Sequence, residues 1–218
     1  MSGAAPRPVA RLWEVTGGRI GEPGVVEAIR AGFLLRVEET PGYLGRLVIV
    51  DRDRRVVRGL SVWESPEALE SSWASFAPIA EEMARQASAT VGEPRTYEVV
   101  YSGFRGVHTR SPTAAEADLM RARVVRFEGG DVASLWVAES LRKHTAESVA
   151  RAPGCVAALI LVDAARQEGL ATTIWADDRS RDRTTSLARE AMNAVSTAAH
   201  ATVVDFSAYD VLYYEQPD

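Results

Sequence analysis

Aromatic side chains with a few polar companions are the part of this sequence that could do chemistry. An apolar aromatic pocket containing a polar base or donor can bind a phenol-like molecule, remove its proton and stabilise the anion. We predict three catalytic residues, Arg46, Trp63 and Tyr97. The predicted ligand-binding residues are Phe33, Tyr43, Trp73, Phe76, His144, Trp175 and Tyr209.

Four of these residues allow two interpretations each. Arg46 lies in an otherwise aliphatic strand, so it either faces solvent at a sheet edge or stabilises an anion in a cavity. Trp63 and Trp175 close predicted strands, where a large aromatic side chain either lines a pocket or belongs to the core. His144 either faces solvent from a helix or acts as a general base.

Composition describes an ordinary globular protein of 218 residues, 46% hydrophobic and 25% charged. The net charge of -5 argues against a nucleic-acid partner, because a phosphate backbone requires a concentrated positive surface. No stretch approaches the roughly 20 apolar residues of a membrane span. The single cysteine, Cys155, cannot form an internal disulfide. We therefore expect a cytoplasmic protein without a membrane partner.

The three histidines have no spacing typical of metal ligands, and the glycines near residue 20 do not form a nucleotide-binding fingerprint. We therefore expect no metal and no cofactor. The expected partner is a small hydrophobic or aromatic molecule.

The sequence repeats itself with an offset of 112 residues. Such a repeat indicates how the fold is organised, because each copy is expected to form one structural unit. The recurring residues are Arg11, Gly17, Gly18, Pro41, Gly42, Val50, Asp51 and Trp63, which return as Arg123, Gly129, Gly130, Pro153, Gly154, Val162, Asp163 and Trp175.

Each copy has the pattern of a β-α-β-β-α-β unit, the ferredoxin-like order. Alternating or branched apolar runs predict strands at Ala10–Val15, Leu44–Val50, Val56–Trp63, Arg95–Tyr101, Arg121–Phe127, Val156–Val162, Leu170–Trp175 and Ser207–Tyr214. Apolar residues at helical spacing predict a first helix in each copy. Second helices are predicted to begin at Ser65-Pro66 and at Asp177-Asp178.

We predict an α+β fold with a first ferredoxin-like half at residues 9–102, a linker at 103–118 and a second half at 119–216. A single unit would leave one face of its sheet exposed, so two sheets are expected to pack face to face as a pseudo-dimer within one chain. Further homodimerisation is compatible with this arrangement.

The stretch from Pro41 to Leu69, with Ser-Val-Trp-Glu-Ser at residues 61–65, resembles the dimeric α+β barrel superfamily, and within it the antibiotic biosynthesis monooxygenase branch. Thr173, Ile174 and Trp175 repeat the pattern in the second copy. The resemblance implies a barrel made of two sheets, with pockets between a sheet and its helices. It also implies one of three functions: cofactor-independent oxygenation of phenolic polyketides, haem degradation, or binding without catalysis.

Haem degradation in this superfamily relies on an Asn in the first strand and a His about ten residues after the Trp, and neither is present here. We therefore expect a small-molecule-binding barrel acting as a cofactor-independent monooxygenase on an aromatic, polyketide-like substrate. A non-catalytic ligand-binding or stress-associated barrel is the first alternative, and a haem-binding protein is the second.

Overall fold

The computed structural model describes residues 7–33, 40–104, 119–144 and 149–215. The strands are β1 (Val9–Thr16), β2 (Tyr43–Asp51), β3 (Val56–Trp63), β4 (Thr90–Val91), β5 (Arg95–Phe104), β6 (Arg121–Glu128), β7 (Cys155–Asp163), β8 (Glu168–Trp175) and β9 (Thr202–Glu215). The helices are α1 (Pro23–Phe33), α2 (Pro66–Ala87), α3 (Leu135–His144), α4 (Asp178–Arg183) and α5 (Thr185–Ala199). All eight strands predicted from the sequence are present, most of them one or more residues longer than predicted.

The strands are hydrogen-bonded in the order β3-β2-β9-β6-β8-β7-β5-β1-β4, and β3 also pairs with β1. The registers that are defined are antiparallel, including β1 with β3, β2 with β3, β6 with β8 and β7 with β8. The α+β class is confirmed.

The chain divides into two compact units. Among the described residues, the first unit comprises 7–33, 40–97 and 211–215, and the second comprises 98–104, 119–144 and 149–210. The two boundaries between the units fall inside β5 and β9. Each of these strands therefore contributes one segment to the first unit and one to the second.

In the first unit, apolar residues of β1, β2 and β3 pack against α1 and α2. Helix α2 begins as its sequence predicts: the Ser65 hydroxyl accepts a hydrogen bond from the amide of Ala68 at 3.2 Å, and Pro66 occupies the first turn. The core contains Trp13, Val15, Ile20, Val26, Ile29, Val48, Val50, Val57, Met83, Ala84, Ala87, Leu212 and Tyr213.

In the second unit, β6 and β7 pack against α3 and α5 around Val125, Phe127, Val132, Val137, Leu141, Ile160, Val195, Ala199 and Ala201. The predicted cap is confirmed, because the Asp177 carboxylate accepts from the amide of Ser180 at 2.7 Å. The single helix expected after it is instead divided at Thr184 into α4 and α5. No helix in the described ranges is long and apolar enough to cross a membrane.

The predicted glycine turns are confirmed at both positions. Gly18 and Gly130 have φ of 57° and 59°. A Cβ on Gly18 would lie 2.2 Å from the carbonyl oxygen of Ala87, and a Cβ on Gly130 would lie 2.0 Å from that of Ala199. Only glycine fits at these two positions. The non-glycine residues with positive φ also fall 112 residues apart, as Arg55 with Gln167 and Ser88 with His200.

Candidate functional site

Four of the predicted residues lie together in an aromatic cluster of the first unit. We use this name for Val9, Tyr43, Trp63, Leu69 and Phe76, with Ala68 and Trp73 packed against them. Trp63 is 0% exposed, and its ring lies 5.4 Å from that of Tyr43 and 5.9 Å from that of Phe76, both edge-on. Its indole N–H donates to the Ser61 hydroxyl at 3.0 Å. Trp63 is thus enclosed by neighbouring side chains.

Arg46 is buried beside this cluster, with only 4% of its surface exposed. The solvent-facing alternative is therefore wrong, because β2 has hydrogen-bonded neighbours on both sides, β3 and β9. Its Nε lies 3.3 Å from Oε2 of Glu215, and its guanidinium lies 4.3 Å from the centre of the Tyr213 ring. The anion beside Arg46 is thus a carboxylate of the chain itself.

The Tyr43 hydroxyl donates to the same Glu215 oxygen at 2.8 Å. Burial raises the pKa of Tyr43 well above its usual value, so this group stays a neutral donor. Glu215 was missed from the sequence, because a charged residue at the end of a chain's last strand is normally assigned to solvent. Together Tyr43, Arg46 and Glu215 form a buried polar network in the first unit.

The other predicted residues are distributed over both units. Tyr97 is buried in β5, Trp175 is buried at the end of β8, and the hydroxyl of buried Tyr209 lies 3.5 Å from Asp205. The side chains of Phe33 and His144 lie outside the described part of the structure.

A cavity of about 40 Å³ lies in the second unit, between strands β6 and β8 and helices α3 and α5. Its wall is apolar except for Arg123 and Thr173. The lining residues are Arg123, Val125, Phe127, Leu141, Val149, Ala171, Thr173, Ala188, Ala191, Met192 and Val195. None of the predicted site residues with a described side chain is among them.

Small side chains in the second unit explain why space remains there. Val125, Ala188 and Ala191 line the cavity. The residues 112 positions before them are Trp13, Phe76 and Ile79, which are all larger and pack within the apolar core of the first unit. Because interiors are close-packed, the loss of this side-chain volume leaves a void.

Arg123 is the ionisable residue among those lining the cavity, and only 4% of its surface is exposed. Its Nη1 donates to the Thr184 hydroxyl at 3.1 Å, and its Nη2 donates to the Thr185 hydroxyl at 2.8 Å and to the Arg181 carbonyl. The break between α4 and α5 therefore supplies the oxygens that hold this guanidinium.

Trp175 lies behind the cavity wall. Its ring centre is 5.8 Å from the Arg123 guanidinium, and its indole N–H donates to Thr173 at 3.0 Å. Trp175 thus contacts both polar residues of the wall. Because Trp175 does not itself line the cavity, its role toward a ligand is to position Arg123 and Thr173.

The charge of Arg123 is not balanced by an ion pair with any carboxylate in the described ranges. Burial, reinforced by the Arg181 cation, lowers the pKa of Arg123 to about 10, so the group is still protonated at neutral pH. Arg11, which precedes it by 112 residues, differs. It pairs with Glu70 at 2.7 Å and lies 4.6 Å from the centre of the Trp73 ring.

Sequence reasoning did not select Arg123, although the signal was present. Arg11 and Arg123 recur at the repeat offset, and each lies between two apolar residues of its strand, Ala10 and Leu12 or Ala122 and Val124. A cation in such a strand costs free energy unless it has a partner or a function.

Nothing in the described part of the chain resembles a metal centre, since no group of three or more His, Cys, Asp or Glu residues there could hold an ion.

Comparison with solved structures finds the same fold in monooxygenase-like proteins. A candidate monooxygenase from Fusobacterium nucleatum superposes with a TM-score of 0.73 at 12% identity, over 98% of this chain and 96% of its own. One from Lactobacillus acidophilus gives 0.67 at 12% identity, over 96% of both chains. An anthrone oxidase-like protein gives a TM-score of 0.60 at 12% identity, over 95% of this chain and 93% of its own.

No protein-family model matches the sequence, and no curated protein is similar to it. At 12% identity the structural likeness establishes the fold and not the activity. The resemblance inferred from the sequence is confirmed at that level: the chain shares its fold with these monooxygenase-like proteins.

Proposed function

We propose that this protein binds a small molecule in the cavity of the second unit, and that it acts there as a cofactor-independent monooxygenase on an aromatic substrate. The observation that carries the proposal is an apolar cavity whose wall contains a buried cation with no ion-pair partner among the described residues. Pockets of this kind, apolar with a few placed polar groups, are typical ligand sites. The names of the structural neighbours, two candidate monooxygenases and an anthrone oxidase-like protein, support the reaction class.

The size of the cavity restricts how a ligand enters. About 40 Å³ has room for roughly three water molecules, whereas an engineered cavity that takes benzene is about 150 Å³. An aromatic ring therefore requires the wall to move. Met192, which is unbranched and only partly buried, is the lining side chain best suited to move.

The proposed reaction needs an anion stabiliser more than a base. Loss of a proton from an anthrone-type substrate gives an electron-rich anion that can itself reduce dioxygen. One oxygen atom then replaces two hydrogens on the ring carbon as a carbonyl, and the other leaves as water, so the substrate supplies all the electrons. Arg123 stabilises the anion. Because the described lining residues include no carboxylate or histidine, the proton passes to solvent.

We also propose that the two units descend from one ferredoxin-like repeat, with halves at 9–102 and 119–216 joined by the 103–118 linker. Equivalent ladders support this, since Arg11 pairs with Ser61 in the first unit and Arg123 with Thr173 in the second. The backbone positions with positive φ at the 112-residue offset support it too. Under this proposal the second copy keeps the binding site.

Binding without catalysis is the second candidate. It is favoured by the lack of a proton acceptor among the described lining residues.

Turnover with an anthrone tests the proposal. Purified protein is mixed with anthrone in air, and quinone absorbance and oxygen consumption are followed together. We expect equal molar rates for the wild type and loss of both in Val125→Trp, which places an indole in the cavity. Val125→Ala is the matched control that keeps the cavity open. Binding without oxygen consumption would favour the second candidate, and no binding of any small molecule would contradict both.

A further inference from the structure

We infer that the cavity of the second unit selects a small organic oxyanion, whose charged group is held by Arg123, and that the first unit has no equivalent site. The inference rests on the proposed use of this cavity for ligand binding. It adds the charge state of the ligand and the number of sites per chain.

The first step is the charge at the wall. Arg123 is buried, and its hydrogen bonds to the described residues all go to neutral oxygens, those of Thr184, Thr185 and the Arg181 carbonyl. Its Nε–H and its second Nη1–H form no hydrogen bond to the described residues, so these donors remain for a ligand. A buried cation without a counter-ion is costly, and a bound anion removes that cost.

The second step is the set of charges around Arg123. On α4, the Arg181 guanidinium is held by Asp178 and Asp182 at 2.9 Å each, so neither carboxylate forms an ion pair with Arg123. On α5, Arg189 lies 5.6 Å from the Phe206 ring, the same ring that Arg123 approaches at 5.7 Å. Arg181 repels Arg123 and Asp182 attracts it without forming an ion pair, so no carboxylate in the described ranges directly neutralises Arg123.

The third step is the shape of the remaining wall. Val125, Leu141 and Val195 are aliphatic, and the cavity is small. A ligand that fits has one oxyanion and a compact apolar body. Carboxylates and phenolates share this chemistry, and a guanidinium can bind either.

The first unit lacks each of these conditions. Arg11 is already paired with Glu70 and covered by the Trp73 ring. The residues 112 positions later are Asp182, which pairs with Arg181, and Thr185, which bonds Arg123. Trp13 fills the position that corresponds to Val125. Among the described residues, one site of this kind per chain follows.

Calorimetric titration of the full chain tests the inference with matched probes. Isobutyrate and benzoate represent carboxylates, and isobutyramide and benzamide are their neutral isosteres. p-Nitrophenolate represents phenolates, with nitrobenzene as its neutral partner. We expect one site per chain and anions bound about 10- to 100-fold more tightly than neutral partners, as for hydrogen bonds to charged groups. Which anion binds more tightly distinguishes a carboxylate from a phenolate ligand.

Variants separate the charge from the fold. Arg123→Met is expected to lose about 10- to 100-fold in anion affinity while binding the neutral probes as before. Arg123→Lys keeps a cation and is expected to retain part of the affinity, which covers the case in which the Met variant does not fold. Arg11→Met is the matched control and is expected to bind as the wild type does.

Equal affinity for anions and their neutral isosteres would overturn the inference and leave the proposed binding function standing. Two sites per chain, or an equal loss in Arg11→Met, would also overturn it. If no probe of either class binds, the cavity is not a ligand site, and both proposals fail.

Discussion

The indole ring of Trp13 lies against the backbone of Gly59, its partner across the β1–β3 ladder, so closely that a Cβ on Gly59 would stand 1.8 Å from the ring. In the second unit the corresponding pair is Val125 opposite Ala171, and both residues line the cavity. The Trp13–Gly59 pair places a large ring in the core of the first unit, whereas the smaller side chains of Val125 and Ala171 border a cavity.

This relationship predicts strong coupling between Trp13 and Gly59. Trp13→Val should destabilise by about 3–5 kcal/mol through the cavity it leaves. Gly59→Ala should cost about 1–3 kcal/mol, because its methyl group overlaps the ring. The double variant reproduces the Val-Ala pair and should cost less than the sum. Urea unfolding of all four proteins measures the coupling, and additive costs would show that the ring and the glycine are independent.

The reverse exchange should close the cavity of the second unit. Val125→Trp combined with Ala171→Gly is expected to abolish binding of isobutyrate while the thermal unfolding midpoint stays the same or rises, since filled space replaces a void. Ala171→Gly alone is the control, because it leaves the cavity open and should still bind. Retained binding in the double variant would place the ligand elsewhere.

The network of Tyr43, Arg46 and Glu215 should matter for stability. Glu215→Leu removes the carboxylate from a buried guanidinium and is expected to cost about 3–5 kcal/mol. Replacing both charges, as Arg46→Met with Glu215→Leu, should recover most of that loss. Tyr43→Phe deletes one hydrogen bond and should cost about 1 kcal/mol. Denaturant titration measures each value, and a mild effect of Glu215→Leu alone would argue against a buried ion pair.

Trp63 and Trp175 should respond differently to substitution by Phe. Each loses an indole hydrogen bond, to Ser61 or to Thr173, and each variant should be less stable. Only Trp175→Phe is expected to weaken anion binding, because Trp175 contacts Arg123 and Thr173 in the cavity wall. If Trp63→Phe remains folded yet loses binding or turnover, then the catalytic role predicted for Trp63 from the sequence holds and the site lies in the first unit.

Local signals in the sequence were sufficient for the elements of the fold. The Ser65 and Asp177 caps, the glycine turns at Gly18 and Gly130 and the apolar strands each depend on neighbouring residues, so they were predictable. The break at Thr184 was not, since the helix signal of Thr185–Ala199 continues that of Asp178–Arg183 without a proline or glycine.

The candidate site was harder to predict because it depends on volume and pairing across the fold. The aromatic residues of the sequence predicted a site in the first unit. In the structure, however, the rings of Tyr43 and Phe76 pack against that of Trp63. The cavity appears where side chains are small, at Val125, Ala188 and Ala191. Whether Arg46 or Arg123 is neutralised depends on distant carboxylates such as Glu215, which no local pattern reveals.

Residues 211–215 at the end of β9 belong to the first unit, and β9 is the hydrogen-bonded neighbour of β2. During synthesis, β2 is complete long before those residues leave the ribosome. Its free edge can meanwhile recruit a strand of another nascent chain, which is the usual hazard of an unpaired strand. The first unit is thus completed only after residues 211–215 have been made, although most of its strands are synthesised earlier.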